Sequence, residues 1–115
     1  MTTEQATDRQ LYVYRLTGPR PTFPQDMTPA EADAMQRHTD YWLELLDQGT
    51  AVFFGPVGDP AGVWGLGILE AGSPEEVDAV RADDPAVTSG TATAEVMPVL
   101  GGYARPLPAD RTPPG

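Results

Sequence analysis

The chain has no cysteine, no lysine and one histidine in 115 residues. Without cysteine there is no disulfide, no thiolate nucleophile and no thiolate metal site. Without lysine there is no Schiff-base chemistry and no lysine grip on phosphate, an absence that reads as a habit of genome composition rather than a functional signal. Basic charge is scarce: 7 residues, all arginine, stand against 17 acidic ones, for a net charge of −10. A surface this negative repels phosphate backbones, and no basic stripe occurs. Nucleic acid and anionic membrane are therefore not expected partners. No apolar run approaches the roughly 20 residues that a membrane helix needs. The stretch Met1 to Gln5 lacks the basic and apolar regions of a signal peptide, so the cytoplasm is the expected compartment. With one histidine, a metal would need a shell of carboxylates; no metal and no cofactor is expected.

What is present has the length of one domain. A chain this small hides roughly 60–70% of its unfolded surface, so its own core is modest. Residues 1–8 are polar and aperiodic, and residues 106–115 hold four prolines; both read as flexible tails around a folded body over 9–105. Gln10 to Leu16 alternates as a strand does. Residues 17–27 carry three prolines and read as an ordered loop. Thr28-Pro29-Ala30-Glu31 offers an N-cap hydroxyl, a proline at the first helical position and a reach-back glutamate, so a helix should run from there to Gln48 and stop at Gly49. Strands follow over Thr50–Gly55 and Val63–Glu70, joined by a turn over Pro56–Gly62. Ser73-Pro74-Glu75-Glu76 repeats the cap chemistry and starts a helix that ends near Ala82. After Asp83-Asp84-Pro85 come a short turn and a last strand from about Thr91 to Val99. The order β-α-β-β-α-β predicts a ferredoxin-like α+β fold: four antiparallel strands with two helices on one face.

A sheet with one solvated face should alternate polar and apolar residues. The first two strands do not. Leu11 and Val13 oppose Tyr12, Tyr14 and Leu16; Ala51 and Phe53 oppose Val52 and Phe54. Both sheet faces read as buried, and this chain's helices cover only one. The second face is expected to pack on another copy, giving a homodimer through the sheets.

On the first helix the apolar positions are Ala34, Met35, Tyr41, Trp42, Leu45 and Leu46. His38 lies three and four residues from members of this stripe on both sides, so it faces inward. An imidazole there is either a proton-transfer group, with an unperturbed pKa of about 6.5, or a core histidine satisfied by a single carbonyl. A catalytic histidine needs an orienting carboxylate, and Asp59, Asp83 and Asp84 are on offer. Asp84 precedes Pro85, which also fits a plain N-cap followed by proline at N1; on local grounds it caps. The glycines between Gly55 and Gly67 serve turns and close approaches, since neither a helix N-terminus nor a lysine follows them.

The stretch His38-x-x-Tyr41-Trp42-Leu43-x-x-Leu46-x-x-Gly49, then Gly55-Pro56-Val57, Asp59 and Gly62, resembles the YciI-like (YCII-related domain) family. So do Asp83-Asp84-Pro85-Ala86-Val87 with Gly90, and Met97-Pro98 in the last strand. The resemblance spans about Leu11 to Val99. It implies a dimeric α/β barrel of the muconolactone-isomerase type, and a pocket in which a histidine and the aspartate of an Asp-Pro pair form a dyad. Here these are His38 and Asp84. It implies for some members chloride-eliminating or isomerising chemistry on aromatic compounds, and for others a place beside regulatory or transport proteins. Three functions follow from it. The chain is a cofactor-independent lyase or isomerase acting on a small organic molecule, with His38 as acid or base and Asp84 fixing its tautomer. Alternatively it is a non-catalytic dimeric module that binds a small molecule or a partner. In the third, His38 and Asp84 are a structural link. Tyr12, Tyr14 and Trp64 are candidates to line the pocket and Arg15 to hold an anionic substrate, each with a bland alternative in core packing or a surface ion pair. The loop over 17–27 is longer and richer in proline than in short family members, and is placed to reshape or lid the pocket.

Overall fold

A computed structural model describes residues 10–105. The tails expected at 1–8 and 106–115 lie outside the described residues. Seven elements follow in chain order: β1 (Gln10–Thr17), α1 (Pro29–Gln48), β2 (Ala51–Val57), β3 (Trp64–Ala71), α2 (Pro74–Asp83), α3 (Pro85–Thr88) and β4 (Thr93–Pro98). The strands form one sheet in the order β2-β3-β1-β4, antiparallel throughout. This is the ferredoxin-like arrangement.

The helix boundaries follow from local chemistry. The Thr28 hydroxyl accepts from the Glu31 amide, and the Glu31 carboxylate accepts from the Thr28 amide, so two orphan donors are satisfied at once. Gly49 ends α1 at φ 84°, a left-handed conformation suited to glycine, with its N–H on the last-turn carbonyls. Ser73 and Pro74 start α2 with a similar hydroxyl cap on the Glu76 amide, but there the Glu76 carboxylate reaches the Gly72 amide instead of the N-cap amide. The chain leaves α2 at Asp84, which is extended (φ −68°, ψ 122°) as a residue before proline tends to be. A single helical turn, α3, stands where only a turn was expected.

Two differences in β2 have physical causes. The strand continues through Pro56 to Val57, because β2 is an edge strand and a missing N–H on the outer edge leaves no ladder bond unmade. A register shift between Ala51 and Phe53 breaks the strict alternation. Ala51 and Phe54 therefore both serve the helix side, while Phe53, opposite Ile68, faces away. On α1, Leu46 is exposed rather than part of the inward stripe.

The core lies between the sheet and the helices. Tyr12, Tyr14 and Leu16 of β1 and Leu69 and Ala71 of β3 pack on Trp42 and Leu45 of α1 and on Val77 and Val80 of α2. The Tyr41 hydroxyl donates to the Val80 carbonyl at 2.9 Å and ties the two long helices together. The other sheet face is uncovered: Leu11, Val52, Phe53 and Met97 are 40, 55, 51 and 44% exposed. No described helix is long and apolar enough to cross a membrane.

Candidate active site

His38 reaches its position because the period of α1 turns it inward, between Ala34 and Trp42. Asp84 reaches its position because Pro85 forces the chain out of α2 at that residue. The two meet: His38 Nδ1 and Asp84 Oδ1 are 2.8 Å apart. Asp84 is 0% exposed. Its carboxylate accepts four hydrogen bonds. Oδ1 takes the His38 ring N–H and the Ala86 amide at 2.9 Å; Oδ2 takes the Tyr14 hydroxyl at 2.8 Å and the Trp42 indole N–H at 2.9 Å. The two local alternatives for this residue are thus not alternatives. Through Oδ1, Asp84 caps α3 and holds the histidine at the same time.

The electrostatics follow from this arrangement. Burial acts to raise the Asp84 carboxyl, but the His38 hydrogen bond and charge, the Trp42 indole and the Ala86 amide together outweigh it, and the group is held below the usual carboxylate range. Tyr14 moves the other way: burial first, then the Asp84 charge and hydrogen bond, push its phenol well above the ordinary value. An ionised carboxylate only accepts hydrogen bonds, so the proton of the contact belongs to His38 Nδ1. That leaves Nε2 as the ring nitrogen with a free lone pair when the imidazole is neutral. No described residue bonds to it.

His38 borders an open cavity of about 210 Å³. Tyr14 and Leu16 of β1, Met35, Thr39 and Trp42 of α1, and Phe54 and Pro56 of β2 contribute to its walls. The aromatic rings form a contiguous set: Tyr14 and Trp42 meet edge to face at 4.8 Å, and Phe54 lies 5.6 Å from Trp42 and 6.4 Å from His38. Gly67 makes this possible. A Cβ there would stand 2.5 Å from the Trp42 ring, so the far edge of the indole rests against bare backbone. None of the wall residues other than His38 bears an ionisable charge near neutrality.

Of the residues singled out in the sequence, His38, Tyr14 and Trp64 border the cavity and Asp84 lies behind His38. Two do not join them. Tyr12 is buried in the core and borders a separate groove beside α2. Arg15 is on the uncovered sheet face, its guanidinium stacked 4.4 Å above the Trp64 ring, because neighbours on a strand point to opposite faces. Trp64 also donates to Asp59 at 3.2 Å, so Asp59 serves the hairpin turn and not the histidine. Residues the sequence did not single out for the site include Phe23, Pro24, Met35 and Phe54, and Trp42 and Tyr14 in their role as donors to Asp84. Among the described residues no three His, Asp or Glu side chains converge as metal ligands would.

The YCII-related domain family model matches residues 13–100. Among solved structures, 5-chloro-2-hydroxyhydroquinone dehydrochlorinase (TftG) from Burkholderia phenoliruptrix AC1100, in complex with 2,5-dihydroxybenzoquinone, aligns with 80% of this chain and 95% of its own at 16% identity and a TM-score of 0.54. SnoaB, a cofactor-independent oxygenase from Streptomyces nogalater, aligns with 88% of this chain and 100% of its own at 15% identity and a TM-score of 0.47. At these identities the likeness is one of fold. No curated protein matches the chain at significant similarity.

Proposed function

The chain belongs to the YCII-related domain family, and on that premise we propose that it is a cofactor-independent proton-transfer enzyme of the lyase or isomerase type, acting on a small organic molecule. His38 Nε2 is the general base. It takes a proton from the substrate and returns one to the product or to a leaving group. Asp84 acts through His38: it fixes the proton on Nδ1 and stabilises the imidazolium formed in the transition state. TftG, whose fold this chain resembles, is a dehydrochlorinase, and such an elimination is one that a single base can start.

The observation that carries this reading is the buried His38–Asp84 contact at 2.8 Å, with His38 itself on the wall of an apolar cavity. A histidine kept for packing needs one partner. This one has a carboxylate that four donors keep ionised, and a second nitrogen left unused. The alternative of a binding module without turnover uses the same cavity. The two separate in an exchange experiment. In D2O, wild-type protein should catalyse hydrogen–deuterium exchange at acidic C–H positions in a panel of uncharged monocyclic ketones, lactones and hydroquinones, read by NMR. His38→Gln should lower that rate by roughly 10²–10⁴-fold. Equal rates in the two proteins would leave only the binding reading.

We further propose that the protein is a homodimer through its uncovered sheet face. An exposed apolar surface centred on Phe53, Val52, Met97 and Leu11 is of the kind that marks a protein interface, and a second copy presents the matching surface by two-fold symmetry.

A further inference from the structure

The loop between β1 and α1 is more ordered than its composition demands, and the order comes from one side chain. The Arg20 guanidinium forms a fork on Glu31, Nη1 to Oε2 at 2.9 Å and Nη2 to Oε1 at 2.7 Å. Its Nε bonds both carboxylate oxygens of Asp26 at 3.0 Å, and Nη2 also reaches the Asp26 carbonyl at 2.8 Å. Every nitrogen of the group is therefore used. Glu31 belongs to the capping box of α1, so the loop is latched to the first turn of that helix, about 10 Å along its axis from His38. Within the loop, backbone bonds from Phe23 to Arg20 and from Gln25 to Thr22 close a tight turn.

The turn delivers Phe23. This ring is 5% exposed, yet it stands outside the continuous core that unites sheet and helices. What it borders is its own loop and the cavity, together with Gly18 and Pro24. It lies so close on Gly18 that a Cβ there would be 2.5 Å from Phe23 Cδ2. A large aromatic buried against a cavity and not in the core limits what the cavity holds. The volume left, about 210 Å³, compares with the roughly 150 Å³ of a cavity that takes benzene. Among the described residues no arginine lines it: Arg20 is spent on two carboxylates, and Arg15 is on the other sheet face, stacked on the Trp64 ring.

We propose that residues 18–28 form a specificity lid, with Phe23 the selecting wall and Arg20 the residue that positions it, and that this lid restricts the site to uncharged ligands of one ring. The proposal rests on the reading of this cavity as the substrate site, and deepens it by naming the class of ligand. Arg20 never touches the ligand. Its effect passes through the pose of Phe23.

His38 is the one imidazole of the chain, so its NMR signals report the cavity without ambiguity. Three probes are titrated: phenol, with one uncharged ring; 2-naphthol, with two; and benzoate, with one ring and a charge. In the wild-type protein, phenol should shift the His38 signals saturably, with 2-naphthol and benzoate at least tenfold weaker. Phe23→Ala should tighten 2-naphthol at least tenfold while benzoate stays weak. Arg20→Gln leaves the cavity wall chemically intact and should relax the discrimination between phenol and 2-naphthol in the same direction. It also keeps the proposal testable if Phe23→Ala fails to fold. A merely structural loop would lower stability in both variants without changing the order of the probes. Unchanged order in the folded variants, or benzoate binding as well as phenol in the wild type, would overturn the lid and leave the site reading standing. No response of His38 to any probe in any variant would overturn both.

Discussion

Replacing Asp84 by asparagine strains the site at its most constrained group. The two side chains share a shape, so no cavity opens; only the number of acceptors changes. Asp84 receives four hydrogen bonds on two oxygens at 2.8–2.9 Å. Asparagine offers one oxygen and one amino group. Turned one way, its amino group faces the Trp42 indole N–H; turned the other, it faces the Ala86 amide. Tyr14 can rotate its hydroxyl and His38 can change tautomer, but an indole and a backbone amide only donate. One donor-to-donor contact survives either orientation, in a place without solvent. An unsatisfied buried donor costs roughly 1–3 kcal/mol, and a hydrogen bond to a charged acceptor contributes about 1.5–3 kcal/mol. Relief of the desolvated charge offsets part of this. The expected net loss is about 2–3 kcal/mol, which in a domain of this size lowers Tm by roughly 10–20 °C.

Thermal unfolding followed by near-UV circular dichroism reads that loss, and NMR of the single histidine gives an independent signal. The wild-type ring carries its proton on Nδ1; in the variant the ring is released toward the Nε2–H tautomer. A pH series adds a third. The Asp84 carboxyl lies below its ordinary value in the folded protein because the bonds from His38, Trp42 and Ala86 outweigh burial. A depressed carboxyl contributes stability that is present above the unfolded value, about 3.9, and is lost as pH falls through the folded value. The wild-type protein should therefore lose stability below about pH 4, and Asp84→Asn should lose less of it. A variant that melts within about 2 °C of the wild type, with its tautomer unchanged, would refute the reasoning.

Three further outcomes follow from the same geometry. Gly67→Ala places a methyl group 2.5 and 2.8 Å from Trp42 ring atoms and 3.2 Å from Tyr14 Cβ; urea unfolding should show a loss of about 1–3 kcal/mol from overpacking, with weaker ligand response at His38. The raised phenol of Tyr14, and that of Tyr41, pushed up to about 12 chiefly by burial, contribute stability that is complete below about pH 10 and lost as pH rises through the folded values. Tyr14→Phe should thus flatten the alkaline branch of a Tm-against-pH curve, and a branch as steep as the wild type's would contradict the assignment. Phe53→Glu puts a charge on the uncovered sheet face, and sedimentation velocity should show a monomer where the wild type sediments as a dimer.

The helix starts are legible in the sequence because their causes are local: Thr28, Pro29 and Glu31 lie within four residues, and Ser73 and Pro74 repeat the pattern. The inward turn of His38 is equally legible, since the helical period fixes it. The partnership with Asp84 is not legible from spacing, because the two residues are 46 positions apart and the local reading of Asp84 as a cap is itself correct; only the family resemblance pairs them. Trp42 and Tyr14 read as core aromatics for the same reason. Nothing in a sequence says where a buried N–H or O–H points. Strict alternation also misplaces Phe53, because one register shift in β2 reverses the phase beyond it. The position of Arg15 was open to a simple check: on a strand it cannot share a face with Tyr14.

Under the proposed chemistry, Asp84 gives folding and function a common fate. The atom that caps α3 is the atom that orients His38, so the last short helix cannot open without releasing the imidazole, and the imidazole cannot be poised while that turn is unformed. The Ala86 amide, hydrogen-bonded to that oxygen, becomes a gauge of readiness: its solvent exchange measures how often the site disarms. It also narrows what mutation can do, since any drift at Asp84 that spoils the chemistry spoils the fold with it. Under the proposed chemistry, loss of His38 gives an inactive but folded protein, since it removes one of the four donors and leaves the cap in place.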